Sequence, residues 1–401
     1  MNKVAVAGVG VPLPCGVHKG RTENEMAALA VRAALQDAGL AMADLEGLYA
    51  PPPFTPREPL LGLNLQMLAM ELRLQPKRMA EVAMGGCSGA LAIKFAAQEI
   101  ALGNLETAVV VAAAREKSVT DEFVLLAMKH RLLPETGMPW VEPLTHQPFL
   151  LYSVIPLYAM SARRYMHEFG ARPEHFAMAA VRNRRHARRN PDAAFRDPIT
   201  VEEVLKSRTL SEPITLLQCC AQMDGCAALV LTTETRARKL KKTPVFLRSI
   251  GEAHDNSSFV PVDGVAGTVA SFVAAKRAAA EAFKRGGLAP KDVDVTDVYA
   301  PFAPQELIIP EDLGLLPRGG MVSAIEQGLT DASGDIPINT DGGVTSRGHP
   351  WPVTPLYEFV NIVRQLRGEA PNQVSGARIG MVQAEGGMVN SSVVALLERE
   401  R

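Results

Sequence analysis

Gly85-Gly86-Cys87-Ser88-Gly89-Ala90 sets one cysteine among small residues, after the short apolar run Val82-Ala83-Met84 and before a helix-like segment, Leu91 to Leu102. A cysteine at a strand-to-helix turn has its sulfur near the positive end of the helix dipole, which favours thiolate. The glycines allow a tight turn and leave room for a substrate beside the sulfur. Thiolate is the nucleophilic form, so the pattern suits covalent acyl chemistry. The competing reading is a buried, inert cysteine in a packed turn, a common setting for this residue type.

Other chemistry-bearing residues give weaker signals. Cys219-Cys220 with Cys226 lack the usual metal-ligand spacing and read as core cysteines, so no metal site is expected in this chain. Gly8-Val9-Gly10 invites a dinucleotide-binding reading, but Leu13 stands where the third glycine belongs. Arg182, Arg184, Arg185, His186, Arg188 and Arg189 form the densest basic run and read as a solvated helix end. The formal net charge of −1 argues against a nucleic-acid partner.

The elements that must position Cys87 alternate between β and α. With 401 residues, 47% apolar and 21% charged, the chain can bury a sizeable core as two or three domains or as one large α/β unit built from two halves. Val4 to Val9 reads as a strand, and Glu23 to Ala38 as a helix closed by Gly39-Leu40. Leu61 to Leu74 reads as a further helix, and the continuous apolar run Thr107 to Ala112 fits a strand covered on both faces. From about Ser118 to Ile214 the rhythm breaks into helix-like pieces (Ile155 to Phe169, Glu174 to Arg184, Thr200 to Ser207), which reads as an insertion or lid. Buried-strand composition returns at Met223 to Leu231. No apolar run is long enough to cross a bilayer, and five cysteines, few and odd in number, point to a reduced, cytoplasmic setting.

An internal repeat organises the rest. A helix, Gly39-Leu40-Ala41, Asp44 and Tyr49-Ala50-Pro51 recur as a helix, Gly287-Leu288-Ala289, Asp292 and Tyr299-Ala300-Pro301. The first copy leads to Gly85-Gly86-Cys87 and a helix; the second leads to Gly342-Gly343, Gly348-His349-Pro350 and a helix at Pro355 to Leu366. Two similar β–α halves would bring Cys87 and His349 together at their junction.

Over nearly its whole length the chain resembles the thiolase superfamily, in particular the sterol-carrier-protein-x type of thiolase-like acyltransferases. The resemblance rests on Gly86-Cys87-Ser88-Gly89, on Asp224-Gly225-Cys226-Ala227-Ala228-Leu229, and on Asn339-Thr340-Asp341-Gly342-Gly343 with Gly348-His349-Pro350. In the middle, Ala162-Arg163-Arg164-Tyr165-Met166, Asn183-Arg184-Arg185-His186-Ala187 and Phe195-Arg196-Asp197-Pro198 resemble the loop domain of this subfamily. The resemblance implies an α/β, thiolase-like fold: two duplicated βαβαβαββ halves in a five-layered α-β-α-β-α arrangement, with an inserted loop domain. On that basis residues 1–117 and 215–245 form the N-terminal half, 118–214 the inserted lid or coenzyme A-binding domain, and 246–401 the C-terminal half.

It also implies Cys87 as acyl-accepting nucleophile and His349 as the base that activates it and helps form an oxyanion hole. An imidazole titrates near neutrality, so it can take the thiol proton and return it. The competing reading for His349 is a proline-flanked structural histidine. Coenzyme A or acyl-CoA enters as substrate, with Arg184, Arg185, Gly348, Gly386 and Gly387 as its expected contacts. A homodimer is implied, as is a small zinc-finger/OB-fold partner subunit.

Two departures from the family pattern stand out. Tyr299-Ala300-Pro301-Phe302 occupies the segment where relatives carry Asn-Glu-x-Phe or His-Asp-Cys-Phe. Gln383-Ala384-Glu385-Gly386-Gly387-Met388 has no counterpart of the second cysteine of common thiolases. Tyr299, Glu385 or His349 acting twice are therefore the candidates for the second acid–base group, against the plain reading of Glu385 as a turn carboxylate. The expected activity is thiolytic cleavage of a 3-oxoacyl-CoA, or the reverse condensation, on a bulky, branched or aromatic acyl chain; steroid side-chain intermediates and benzoylsuccinyl-CoA are examples. A carbon-acetylating enzyme acting on a phenolic or polyketide acceptor, and a non-catalytic acyl-CoA-binding scaffold, are the alternatives. An aldolase would dispense with the cysteine, and the Cys87–His349 pair argues against it.

Overall fold

The computed structural model describes residues 2–52, 63–118, 154–255, 269–387 and 390–400. Of the expected insertion, residues 119–153 lie outside the described residues, as do the first two residues of the expected Leu61 helix.

The first half runs β1 (Val4–Gly10), α1 (Glu23–Ala38), β2 (Gly47–Ala50), α2 (Leu65–Leu72), β3 (Arg78–Glu81), α3 (Ser88–Ala101) and β4 (Thr107–Arg115). Inserted helices α4 (Ile155–Phe169), α5 (Pro173–Ala187) and α6 (Val201–Lys206) and the small ribbon β5 (Thr209–Ser211) and β6 (Ile214–Thr215) follow. The chain then returns to the sheet with β7 (Asp224–Thr233) and the short α7 (Glu234–Ala237). The second half runs β8 (Val245–His254), α8 (Val273–Gly286), β9 (Val295–Val298), α9 (Gln305–Asp312), α10 (Gly320–Glu326), α11 (Gly343–Arg347), α12 (Thr354–Arg367), β10 (Ile379–Gly386) and β11 (Ser391–Arg399).

Nine strands hydrogen bond in the order β3-β2-β4-β7-β1-β8-β11-β10-β9. Only Ala5 and Val6 of β1 pair with β8, and that narrow seam separates two half-sheets of matching order. In the first half β2 and β4 are parallel and β7 runs antiparallel to both β4 and β1. In the second, β9 and β10 are parallel and β11 runs antiparallel to both β10 and β8. The duplication inferred from the sequence is thus a duplication of topology.

It extends to detail. Gly39 and Gly287 close α1 and α8 in the left-handed conformation, at φ 68° and 62°. Three-residue helical turns follow, where Asp44 accepts from Ala41 N and Asp292 from Ala289 N, both at 2.7 Å. Gly8 and Gly251 play equal parts. A Cβ on either would lie 2.1 Å from a helix carbonyl, that of Ala34 or Ala278, so only glycine lets α1 and α8 settle onto their strands.

The layers follow from which faces are apolar. Successive residues of β4 enter different cores: Val109, Val111 and Ala113 pack with α1 and α2, while Val110, Ala112 and Ala114 face α3 and α12. That central core also takes Val295, Val382 and Val393 from the second half-sheet, so α3 and α12 lie between the two sheets. On the far side, α8 and α9 pack with Met381, Val394 and Leu396, together with Tyr165 and Phe176 of the inserted helices. The result is the five-layered α-β-α-β-α arrangement. The inserted helices are tied in by a buried ion pair, Arg182 on α5 with Glu306 on α9, whose carboxylate also accepts from Asn183 and Asn339 at 2.7 Å each. Breaking such a pair from one side costs about 3–5 kcal/mol, because a charge is left buried alone.

Candidate active site

Cys87 occupies the N-cap position of α3 and is fully buried. Its turn is knitted by Ser88, whose hydroxyl donates to the Gly85 carbonyl at 2.6 Å and accepts from Met84 N at 2.7 Å. The Cys87 thiol donates to the Met84 carbonyl at 3.0 Å. Burial, then the Glu252 carboxylate, push this thiol up to about 12, with its own backbone N–H pulling the other way. The resting form is therefore the thiol. The helix end favours thiolate as expected, but desolvation outweighs it until a base takes the proton.

The turn is pressed against the second half. A Cβ on Gly86 would lie 2.4 Å from the Glu385 carbonyl, 3.1 Å from Tyr299 Oη and 3.2 Å from Trp351 Nε1. A Cβ on Gly386 would lie 2.9 Å from Cys87 Sγ and 2.6 Å from the Met84 carbonyl. Gly85 approaches Gly387 N in the same way. The two glycine pairs let main chains from the two halves touch beside the sulfur.

His349 Nε2 and Tyr299 Oη are hydrogen bonded at 2.6 Å, with the rings edge to face. Burial, then the Arg347 guanidinium, push the imidazole down to about 3, and burial pushes the Tyr299 phenol up. Both are neutral at pH 7. In the tautomer with its proton on Nδ1, His349 accepts from the phenol. The loop carrying His349 is held on both sides: His349 N donates to the Ala221 carbonyl at 3.1 Å, and Trp351 N to Glu116 Oε1 at 2.7 Å. Gly348 adopts φ 112°, and a Cβ there would lie 2.5 Å from Cys15 Sγ.

Glu385, at the end of β10, is 3% exposed. Its carboxylate accepts from Tyr158 Oη at 3.3 Å, and Gln305 Nε2 reaches both of its oxygens, at 3.2 and 3.0 Å. Burial pushes this carboxyl up to about 8 against those two donors.

Cys87, Tyr299, His349, Glu385, Gly348, Gly386 and Gly387 thus fall in one neighbourhood. Arg184 and Arg185 are engaged elsewhere on α5. Arg184 stacks over Phe195 and donates to Ser346 Oγ at 3.3 Å, while Arg185 is ion paired with Asp331. Cys219 and Cys220 are only partly buried, which corrects the core reading for these two. Cys220 N donates to the Pro301 carbonyl at 2.7 Å, because this segment runs beside the Tyr299 segment rather than under the sheet. Among the described residues no group of three or more His, Cys, Asp or Glu is placed to hold a metal ion, and no helix is long and apolar enough to cross a membrane.

Sequence reasoning missed Tyr158, Gln305, Trp351 and Glu116. Only Trp351 stood beside a motif, and nothing in the spacing of the other three marks them as neighbours of Cys87.

Two half-sheets of equal topology, meeting over one cysteine turn, define a thiolase-type fold. Residues 4–235 match the thiolase N-terminal domain and residues 251–399 the thiolase C-terminal domain-like family. The chain belongs to the thiolase family. It is 33% identical to an acetyl-CoA acetyltransferase of Methanothermobacter thermautotrophicus over 100% of both chains. It is 30% identical to a 17-hydroxy-3-oxo-4-pregnene-20-carboxyl-CoA lyase of Mycobacterium tuberculosis, covering 98% of this chain and 99% of the lyase. Benzoylsuccinyl-CoA thiolase subunit BbsB of Thauera aromatica is 32% identical over 75% of this chain and 74% of that protein. Among solved structures, the Ltp2-ChsH2(DUF35) aldolase superposes with a TM-score of 0.83 at 29% identity, covering 100% of this chain and 98% of that one. The relatives therefore span thiolase-type acyltransferases and aldolases.

Proposed function

We propose that this protein is a thiolase-type acyltransferase that cleaves a 3-oxoacyl-CoA, or makes one by the reverse condensation, through an acyl-Cys87 intermediate. The observation that carries this reading is the placement of Cys87 at the start of α3, in a turn whose Gly86 lies against Tyr299 Oη of the Tyr299–His349 pair. In the cleavage direction the thiol proton passes to that pair and the sulfur attacks the 3-keto carbon. The C2–C3 bond breaks, leaving acyl-Cys87 and a shortened acyl-CoA that takes up a proton at C2. The thiol of coenzyme A then displaces the acyl group and Cys87 recovers its proton. Arg184, Arg185, Gly348, Gly386 and Gly387 are the proposed contacts of the coenzyme A moiety.

The names of the relatives support a bulky, branched or aromatic acyl chain, since one acts on a pregnene carboxyl-CoA and another on benzoylsuccinyl-CoA. They also support a partner subunit of zinc-finger/OB-fold type: BbsB is named as a subunit, and the aldolase structure carries a second component, ChsH2(DUF35). A homodimer through the exposed edge of β3 completes the assembly, and the five free cysteines fit a cytoplasmic setting.

A second reading is favoured by one observation. The Tyr299–His349 bond joins two neutral groups that could take the hydroxyl proton of a 3-hydroxyacyl-CoA, whose C2–C3 bond would then break to a carbonyl compound and an acyl-CoA without using Cys87. Intact mass spectrometry after incubation with a panel of acyl-CoA and 3-oxoacyl-CoA esters separates the two. An acyl adduct on wild type that disappears in Cys87→Ala is the expected result. Turnover of a 3-hydroxyacyl-CoA by Cys87→Ala, with no adduct on wild type, would establish the aldolase.

A further inference from the structure

Thiolysis needs two proton-handling groups, one for sulfur and one for the α-carbon of the departing acyl-CoA. On the proposed reading, with which this inference stands, the Tyr299–His349 pair serves the sulfur. We propose that Glu385 serves the carbon, and that Tyr158 and Gln305 are positioning residues that hold its carboxyl toward the site.

The geometry is a clamp. Tyr158 comes from α4 in the inserted segment, Gln305 from the first turn of α9, and Glu385 from the end of β10 that abuts the cysteine turn. Three contacts at 3.0 to 3.3 Å, from two separate elements, fall on one carboxyl. Both donors rest on the same support: Phe302 N donates to Gln305 Oε1 at 3.2 Å, and the Phe302 ring packs on the Tyr158 ring at 4.8 Å. Phe302 is three residues beyond Tyr299, so the clamp and the Tyr299–His349 pair share one loop. A turn carboxylate with no further part would point to solvent rather than be 3% exposed with both oxygens bonded.

The surroundings suit a group that must both give and take a proton. Tyr158 on α4 touches Glu385, and Cys87 on α3, Cys220 before β7, Tyr299 after β9 and Glu358 on α12 lie near enough to feel its charge. Burial pushes every one of them toward its neutral form. Burial brings the Glu385 carboxyl to about 8, close to an operating pH.

In the cleavage direction the C2–C3 bond breaks, the electron pair stays on C2, and the Glu385 proton is delivered there. The Glu385 carboxylate next takes the proton of incoming coenzyme A. That sulfur attacks the acyl carbon, and Cys87 leaves with the proton held by the Tyr299–His349 pair. Protons balance over the cycle.

The test is exchange of the acetyl-CoA methyl protons in D2O, followed by mass spectrometry on the full chain as a function of pH. Glu385→Gln is expected to slow exchange by about 100-fold or more, the ordinary contribution of a general acid–base. Tyr158→Phe and Gln305→Ala each remove a donor that favours the ionised carboxylate, so each is expected to move the pH midpoint of exchange upward. Tyr158→Phe keeps the ring on Phe302 and guards against a mere folding defect, which its thermal melt reports. Exchange by Glu385→Gln within about twofold of wild type, no exchange in wild type, or unmoved midpoints in both donor variants would overturn the clamp. Glu385-dependent exchange without any Cys87 adduct would instead sink the acyl-Cys87 reading and leave the clamp standing.

Discussion

On the proposed reading Cys87 and Tyr299 carry the chemistry, and burial keeps both protonated at rest. The Cys87 thiol is pushed up to about 12 by burial, so its alkylation by iodoacetamide, read at the Cys87 peptide, should be slow at pH 7. It should go on rising through pH 9, since the thiolate fraction grows with each step toward the thiol's own value. A plateau already reached at pH 7 would show a thiolate stabilised as the helix end alone suggests. The Tyr299 hydroxyl lies 2.6 Å from His349 Nε2. Tyr299→Phe keeps the ring beside Gly86 and deletes only that bond. Turnover of whichever CoA ester proves to be the substrate should fall by about 10²–10⁴-fold, with KM changed far less. An unchanged kcat would reduce the pair to a structural contact.

At the scale of elements, the repeated unit is a strand, a helix seated on it through one glycine, and a second strand. Gly8→Ala and Gly251→Ala each place a methyl 2.1 Å from a helix carbonyl. Chemical denaturation should show a loss of about 1–3 kcal/mol for each, the usual cost of overpacking a closed contact. Equal losses would follow from the equal geometry of the two halves. β3 breaks the symmetry, because it is an end strand of the sheet with Arg78, Met79 and Glu81 exposed. Met79 is 40% exposed and Met84 39%, an apolar margin along an open edge. Met79→Glu should turn the proposed dimer into monomers by sedimentation, with secondary structure intact; a wild-type monomer would remove β3 from the assembly.

The whole molecule stores protons in its interior. Glu358 on α12 is 1% exposed, and neither of its oxygens has a hydrogen-bond partner among the described residues. Burial holds its carboxyl well above the ordinary 4.5, and Asp297 is raised in the same way. The folded protein therefore keeps a proton that the unfolded chain releases above the ordinary value, so stability falls as pH rises beyond it. Glu358→Gln mimics the protonated acid and should flatten that decline; denaturant midpoints at pH 5 and 8 check the sign. The backbone plan was legible because it is written locally. The helix of Glu23 to Ala38, its Gly39 stop, the doubly buried β4 run and the Gly39–Gly287 repeat need only neighbouring residues to be read. The same holds for Cys87 as the one cysteine at a glycine-rich helix start. What joins Cys87 to its surroundings is not local: 212 positions separate it from Tyr299 and 262 from His349. Cys219 and Cys220 show the limit, since their apolar neighbours suggested the core while their place beside Pro301 and Phe302 put them at its edge. Tyr158 and Gln305 carried no signal, because a hydrogen bond to Glu385 depends on where three separate elements end. Spacing, and the small residues that any close main-chain approach requires, were enough to read the family resemblance, the duplicated halves and the nucleophile candidate. Burial and long-range packing, which no local pattern records, set the protonated resting thiol, the bond between His349 and Tyr299 and the clamp on Glu385.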